Sequence, residues 1–173
     1  MRRGVENRQA APGGGVATLV HKCMRCSRLS GLRPENGLTD VVTVIVSPDP
    51  GAAIANTSSD AAWTSRQVAV VNAYVPPHAA SIGLHSSVTA AAGAADAVML
   101  VGDFNAQHDL WWVAAPPQRG RERRGDELAT LAQLYSLAPL GDGCTPTTPH
   151  TKNTTGSILD ISFASPCLVP GDD

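Results

Sequence analysis

The sequence predicts an α+β fold in which two packed β-sheets carry flanking helices. Strand-like segments outnumber helix-like ones, several of them are apolar on both faces, and their order mixes hairpin-like links with longer crossovers. Strands that are apolar on both faces lie inside a layered sheet rather than at a wetted surface. Two sheets packed face to face, with helices at their flanks, are the simplest architecture that buries all of them.

Composition narrows the class of protein. The 173 residues suffice for one domain with its own core, and 43% of them are hydrophobic. A net charge of -2 excludes the global basic field of many nucleic-acid binders. No apolar run is long enough to span a membrane, and no apolar h-region follows the basic N-terminus. We therefore expect a nuclear or cytoplasmic protein that is not secreted.

The first half of the chain alternates polar segments with strands. Residues 1–12 are polar and basic and are predicted to form a disordered tail. A glycine run opens a short apolar strand at 16–21, and the glycines and prolines of 22–39 predict a loop. The Val-rich and Ile-rich segment 40–47 predicts a second strand, and 52–65 predicts a surface loop.

The second half contains both helices and the most apolar strands. Residues 67–75 predict a third strand that a proline pair stops. The Ala-rich segment 82–96 predicts a short helix, and 98–101 a strand buried on both faces. Residues 126–137 predict the best helix, with a leucine stripe and an acidic first turn. Residues 157–163 predict a last strand with alternating faces.

The central strand ends in Gly102-Asp103-Phe104-Asn105. Gly102 interrupts the apolar run, and Asp103 and Asn105, two positions apart on extended backbone, are predicted to point the same way. A carboxylate holds a hard cation or orients a water, and an amide donates to a phosphate oxygen. The same four residues also suit a plain turn, so the surrounding motifs must decide between the two interpretations.

Three segments occur in an order that resembles the endonuclease/exonuclease/phosphatase superfamily, which includes pancreatic deoxyribonuclease. They are residues 72–77 (Asn-Ala-Tyr-Val-Pro-Pro), the Gly-Asp-Phe-Asn segment and residues 157–160 (Ser-Ile-Leu-Asp). Residues 14–17 are similar to that family's Gly-Gly-Val-Ala strand. The endonuclease domain of non-LTR retrotransposons is the most similar subgroup. The residues that carry this closer similarity are His108, Trp111, the Gly125 to Leu128 helix start and Pro146-Thr147.

The resemblance covers residues 13–166, followed by a tail at 167–173, and it implies a deoxyribonuclease-like fold. It also implies catalytic roles for four residues. Asp103 orients or deprotonates the attacking water and contacts the metal, and Asn105 holds the scissile phosphate. Tyr74 donates to a phosphate oxygen, and Asp160 is similar to the carboxylate that fixes a catalytic histidine.

Further positions are implied in substrate binding, and some of them keep a structural alternative. The substrate-binding candidates are Asn72, His108, Trp111, Thr147 and Ser157. For His108 and Trp111 the alternative is a surface histidine beside a half-buried tryptophan. The arginines of the 106–125 loop either meet phosphates or form a solvated charged segment.

The function implied by the resemblance is phosphodiester hydrolysis, as nicking of DNA, with Mg²⁺ or Mn²⁺ as cofactor. The partners implied are DNA, no membrane, and a reverse transcriptase domain in the intact parent protein. Negative charge that develops on the phosphate in this reaction is stabilised by a divalent cation together with amide and phenol donors.

Two family elements have no counterpart in this sequence. They are the strand with the metal-binding Glu, upstream of Gly-Gly-Val-Ala, and the downstream Ser-Asp-His strand that supplies the catalytic histidine. We therefore expect a domain truncated at both ends, in which Asp160 lacks its histidine. Two alternatives stay open, a catalytically dead remnant with at most weak nucleic-acid binding and a phosphatase-type member of the same superfamily.

Overall fold

The computed structural model describes residues 15–22, 24–48, 66–112, 122–147 and 158–169. Within them, six strands form one mixed sheet with two α-helices, and the α+β fold class is confirmed. All six described strands lie in this one sheet, and the second packed sheet stays a prediction. The elements are β1 (Met24–Arg28), β2 (Asp40–Pro48), β3 (Val68–Tyr74), α1 (His85–Ala94), β4 (Ala97–Asp103), α2 (Arg123–Leu134), β5 (Ala138–Leu140), β6 (Asp160–Ala164) and a 3-10 helix, Pro166–Leu168.

The strand order across the sheet is β1-β2-β3-β4-β6-β5. β3 and β4 are parallel and α1 connects them, whereas every other neighbouring pair is antiparallel. Because β3 and β4 run the same way, their carboxyl ends meet at one edge of the sheet. Tyr74 and Asp103 are Cα partners at that edge.

The core lies between one face of the sheet and the two helices. β3 places every second residue there, and Ala69, Val71 and Ala73 are almost completely buried. Their small side chains let α1 pack closely on β2, β3 and β4. Each large aliphatic or aromatic side chain that is fully buried in this core contributes about 2 kcal/mol. The largest of these are Phe104, Phe163, Leu84, Leu100 and Leu128.

The other face of the sheet is partly covered by residues 15–22. The Asn72 side-chain amide donates to the Ala17 carbonyl at 3.0 Å and to the Thr18 hydroxyl at 3.3 Å. Val16 is half-buried and Leu19 is exposed, as expected for an extended segment with alternating faces. The predicted strand at 16–21 is nevertheless wrong for the described residues, because the segment forms no ladder with a neighbouring strand.

β1 lies inside the segment predicted to be a loop, so that prediction was wrong at its start. All five β1 residues are exposed, and the strand exists because it pairs with β2. Such an edge strand has no apolar alternation, which is the signal that sequence analysis uses. The predicted strands at 40–47 and 67–75 and the helix at 82–96 are confirmed by β2, β3 and α1.

The other boundaries differ from the predicted ones by a few residues. α2 begins at Arg123 instead of residue 126 and ends at Leu134 because Ser136 adopts a left-handed φ of 53°. β5 then follows, a three-residue strand that the analysis missed. β6 confirms the last predicted strand, whereas Ser157 and the predicted 1–12 tail and 52–65 loop lie outside the described residues. No helix in the described ranges is long and apolar enough to cross a membrane.

Gly125 lets the first turn of α2 approach the loop that follows β4. A Cβ atom at this position would lie 1.9 Å from the Gln107 carbonyl oxygen and 3.2 Å from the His108 Cβ. The Gln107 carbonyl belongs to the backbone and cannot rotate away. The helix and the loop would have to separate to accept any side chain here.

We predict that Gly125→Ala destabilises the protein by about 2 kcal/mol, the scale of overpacking in a dense core. Gly93→Ala is the matched control, since Gly93 is also helical and a Cβ there meets nothing within 4 Å. The control is expected to gain about 0.5 kcal/mol from helix propensity. Urea unfolding of both variants measures the difference, and equal effects of the two substitutions would contradict the close approach at Gly125.

Candidate active site

The candidate site lies at the edge where β3 and β4 end. The strand register aligns Asp40 with Tyr74, Tyr74 with Asp103, and Asp103 with Asp160. Paired residues of neighbouring strands share one face of a sheet, so this row contains three carboxylates and a phenol. Sequence analysis did not single out Asp40, since its place in the row depends on the register of β2.

A cavity of 340 Å³ opens beside this row. Four of the predicted site residues line it together, namely Asn72, Tyr74, Asp103 and Asp160. Gly15, Val16 and Ser162 are also part of its wall, so the 15–22 segment borders the site. The structure thus brings together side chains that are up to 88 positions apart in the sequence, Asn72 and Asp160.

Asp103 is the most perturbed carboxylate of the cavity. Burial raises the pKa of Asp103, and the charge of nearby Asp160 raises it further, while hydrogen bonds from Asn105 lower it. Two carboxylates side by side repel each other when both are ionised. The pair therefore favours a proton or a cation between or beside its members.

Asn105 is held in place from both sides. Its backbone N–H donates to Asp103 Oδ1 at 3.1 Å, and its side-chain amide donates to the Val75 carbonyl at 3.0 Å. Asn105 has a φ of 46°, so the prediction that Asp103 and Asn105 share an extended backbone was wrong. Asparagine tolerates this left-handed conformation better than most residues, and the turn brings the Asn105 N–H back onto the Asp103 carboxylate.

Gly102 permits the close approach of β3 and β4 just before the site. It has a φ of 151°, and a Cβ atom there would lie 1.9 Å from the Ala73 carbonyl oxygen. A side chain would push β4 away from β3 at the position next to Asp103. The glycine that appeared to be a simple break in the apolar run is therefore a packing requirement.

Asp160 is exposed at the start of β6, and Thr147 fixes the backbone there. The Thr147 hydroxyl accepts hydrogen bonds from the backbone N–H groups of Leu159 at 2.9 Å and Asp160 at 3.1 Å. No histidine lines the cavity within the described part of the chain. Asp160 thus contributes its charge to Asp103, and Thr147 orients the strand that carries Asp160.

A second cavity, of 430 Å³, lies on the other side of Asp160. Its wall includes Trp111, Thr147 and Asp160. Trp111 is only 4% exposed, and its ring packs edge-on against Phe163 at 5.7 Å between centroids. Only a small part of this tryptophan borders the cavity, so its main contacts are with the core.

His108 is tied to the start of α2 and to its own loop. Its Nδ1 accepts from the Leu110 N–H at 3.0 Å, and its Nε2 lies 3.5 Å from Asp126 Oδ1. The ring also packs on Trp111, with 5.3 Å between centroids. These contacts orient the loop after Asn105. The substrate-binding role of His108 stays a prediction.

The metal that the resemblance implies would have few protein ligands here. No group of three or more His, Cys, Asp or Glu side chains is placed to hold an ion in the described ranges. Mg²⁺ in phosphoryl-transfer sites is often held by only one or two carboxylates, with water and substrate phosphate completing its shell. Asp103 with Asp160 beside it fits that pattern.

The family of the chain follows from a comparison of its sequence. A model of the family described as endonuclease-reverse transcriptase matches residues 68–171, which is more than half of the chain. The chain belongs to the endonuclease-reverse transcriptase family. The matched range includes β3, β4, β6 and all of Tyr74, Asp103, Asn105 and Asp160.

Two further comparisons complement the family assignment. Among solved structures, the chain is similar to the endonuclease domain of TRAS1, a telomere-specific non-LTR retrotransposon. The two share 16% sequence identity with a TM-score of 0.46, and the match covers 85% of this chain and 69% of the TRAS1 domain. No curated protein matches the chain.

Sequence analysis of this endonuclease-family chain missed Arg124 as a structural residue. Its guanidinium is 15% exposed and donates to the carbonyls of Pro76 at 3.2 Å and Pro77 at 2.9 Å. The solvated-segment interpretation is therefore wrong for Arg124, whereas Arg119 and Arg121 lie outside the described residues. No signal in the sequence marks Arg124, because its carbonyl partners are 47 and 48 positions away.

We predict that Asp103→Asn stabilises the protein in EDTA at pH 7, by about 1 kcal/mol or about 2 °C in Tm. Because the folded-state pKa of Asp103 is raised, its ionised form costs stability above that pKa, and the cost disappears as the pH falls through it. Asn keeps an oxygen to accept the Asn105 N–H. Asp96→Asn, at the opposite end of β4, is the control, and thermal scans at pH 7 and pH 4 should show the gain at pH 7 only for Asp103→Asn.

The hydrogen bonds of Asp142 predict a second pH dependence of the protein's stability. Hydrogen bonds from the Thr145 hydroxyl and from the backbone N–H groups of Thr145 and Cys144 lower the pKa of Asp142 to about 2. The ionised carboxylate therefore stabilises the fold above its ordinary pKa, and this contribution is lost as the pH falls through the folded-state value. We expect Asp142→Ala to lower Tm at pH 6, with the difference from wild type shrinking between pH 4 and pH 2. A difference that is constant over this range would contradict the assignment.

Proposed function

We propose that this protein hydrolyses phosphodiester bonds of DNA by nicking one strand, with Mg²⁺ or Mn²⁺ as cofactor. The observation that carries the proposal is the position of Asp103, Asp160 and Tyr74 around one cavity at the ends of adjacent strands. Membership of an endonuclease family supports the same reaction class. Asp103 and Asp160 line the cavity, and a cation held by two carboxylates would take water and substrate phosphate as its other ligands.

Asp103 is the proposed base and metal ligand. Its raised pKa makes it a stronger base than an ordinary aspartate, which favours removal of a proton from the attacking water. Burial is the main cause of the raised pKa, and the charge of Asp160 adds to it. When bound beside Asp103, a divalent cation would supply charge neutralisation at a phosphate oxygen.

Tyr74 and Asn105 are the proposed donors to the phosphate. Tyr74 is paired with Asp103 across the neighbouring strands β3 and β4, and both residues line the same cavity. The Asn105 amide has two hydrogens, and the bond to the Val75 carbonyl uses one of them and fixes the plane of the group. Pre-oriented neutral donors stabilise the charge of the transition state without repelling the metal.

DNA would extend beyond the first cavity along the sheet edge. Asp160 lines both cavities. The second cavity, which Thr147 also lines, would take the DNA nucleotides next to the scissile phosphate. Asn72, His108, Trp111, Thr147 and Ser157 remain the proposed substrate-binding residues. A reverse transcriptase domain is the proposed partner in the parent protein, which would act on nuclear or cytoplasmic nucleic acid.

Nicking of supercoiled plasmid by the purified 173-residue chain tests the proposal. We expect open-circular product with Mg²⁺ and none in EDTA. Asp103→Asn should slow nicking by about 100-fold or more, the scale of a lost general base. Asp96→Asn is the matched control, because it removes a carboxylate at the other end of the same strand.

Three outcomes would count against the proposal. They are a folded wild-type chain that does not nick, nicking that EDTA leaves unchanged, and equal losses in the two variants. Release of inorganic phosphate from a phosphomonoester, with intact plasmid, would instead support the phosphatase alternative.

A further inference from the structure

The first turn of α2 contacts residues 75–77, the segment that directly follows β3. Arg124 Nη1 donates to the carbonyls of Pro76 and Pro77 at 3.2 Å and 2.9 Å, and its Nη2 lies 3.4 Å from Glu122 Oε2. The Arg124 side chain is 15% exposed, so these contacts are partly shielded from water. Gly125, the next residue, is pressed against the Gln107 carbonyl.

The carbonyls of the Pro76-Pro77 pair accept from a local and a distant donor: the Ala79 N–H donates to the Pro76 carbonyl at 3.0 Å, and Arg124 donates to both carbonyls. Proline has no N–H, so two successive prolines present carbonyls but cannot tie the segment down through their own backbone donors. Pro76 also keeps Val75 in an extended conformation. The position of the segment therefore depends on what binds its carbonyls, and a guanidinium supplies several donors in a fixed plane.

The bound segment continues directly into the site. The Val75 carbonyl accepts from the Asn105 side-chain amide at 3.0 Å, and the Val75 N–H donates to the Asp103 carbonyl at 2.8 Å. Tyr74 immediately precedes Val75. A shift of the Pro76 and Pro77 carbonyls would therefore move the acceptor that orients Asn105 and the backbone that carries Tyr74.

We propose that Arg124 is a positioning residue for this site, fixing Asn105 and Tyr74 through the 75–77 segment. The proposal rests on the proposed phosphodiester hydrolysis for its kinetic consequence. Arg124 acts through the protein backbone and does not contact the phosphate. A small displacement of catalytic donors costs up to about 100-fold in rate, so the effect appears in kcat.

Arg123 provides a matched comparison one residue away. Its side chain is 78% exposed and forms an ion pair with Glu127 one turn along α2. The two arginines share charge, size and helix turn, but only Arg124 binds the proline carbonyls. A general attraction of DNA to basic side chains would depend more on the exposed Arg123, whereas a positioning role would depend on the partly buried Arg124.

Nicking kinetics of three variants test the proposal. Arg124→Ala should lower kcat by about 10-fold to 100-fold and leave KM within about two-fold, per folded molecule. Arg124→Met should lower kcat as much as Arg124→Ala, because methionine fills similar space but supplies no donor to the carbonyls. Arg123→Ala should leave kcat unchanged.

Amide hydrogen exchange supplies a readout that does not need activity. The Val75 N–H, which donates to the Asp103 carbonyl, should exchange about 10-fold faster in Arg124→Ala than in wild type, with the Val71 N–H at the centre of the sheet unchanged. Arg123→Ala should alter neither. Faster exchange at both amides would mean general destabilisation and would overturn the proposal.

Each kinetic outcome supports or overturns the positioning role of Arg124. A rise in KM with unchanged kcat would show a charge contact with DNA, and full kcat in Arg124→Met would show that the hydrogen bonds are not needed. Either result would overturn the positioning role. If wild type does not nick, the proposed function fails. The exchange of the Val75 N–H then tests the Arg124 contact without any activity, and unchanged exchange there would overturn the proposal too.

Discussion

The site depends on the close approach of two parallel strands at their carboxyl ends. β3 and β4 lie side by side in a register that places Tyr74 next to Asp103, and the approach requires Gly102, since any Cβ there would meet the Ala73 carbonyl. Chemistry at this edge follows from a general property of parallel strands, whose ends collect side chains from distant parts of a sequence. The antiparallel β6 then adds Asp160 from the far end of the chain. A shift of either strand by one residue would exchange the faces of the sheet and separate these groups.

Small residues recur wherever elements approach closely. Ala69, Ala73 and Ala91 let α1 lie near the sheet, and Gly125 does the same for α2 and the loop after β4. Such packing buries less apolar area for each residue than a leucine-rich core, so polar contacts hold the loops. Asn105, Arg124 and Thr147 each bind backbone groups of another segment. The precision of the site therefore comes mainly from backbone carbonyls and N–H groups held by side chains.

Much of this arrangement could be predicted from the sequence. The apolar patterns of β2, β3 and β4 and the leucine stripe of α2 gave correct elements, and motif order gave the family and grouped Tyr74, Asp103 and Asp160. The missed features depend on partners that periodicity does not record. β1 has no apolar face and forms only by pairing with β2, and the left-handed turn at Asn105 is imposed by contacts with Asp103 and Val75. Arg124 resembled any charged residue near a loop, because its carbonyl partners are 47 and 48 positions away.

The two outer strands of the described sheet differ in composition, but both discourage the addition of a further strand. β1 carries Arg25 and Arg28 along a fully exposed edge, and β5 is a three-residue strand with Pro139 at its centre. Positive charge opposes the lateral addition of another basic strand, and a short strand that contains proline offers few backbone donors for such an addition. Both features are known ways in which natural sheets discourage edge-to-edge growth. This sheet is thus built to resist polymerisation into fibrils at its margins, even though its interior strands are rich in valine.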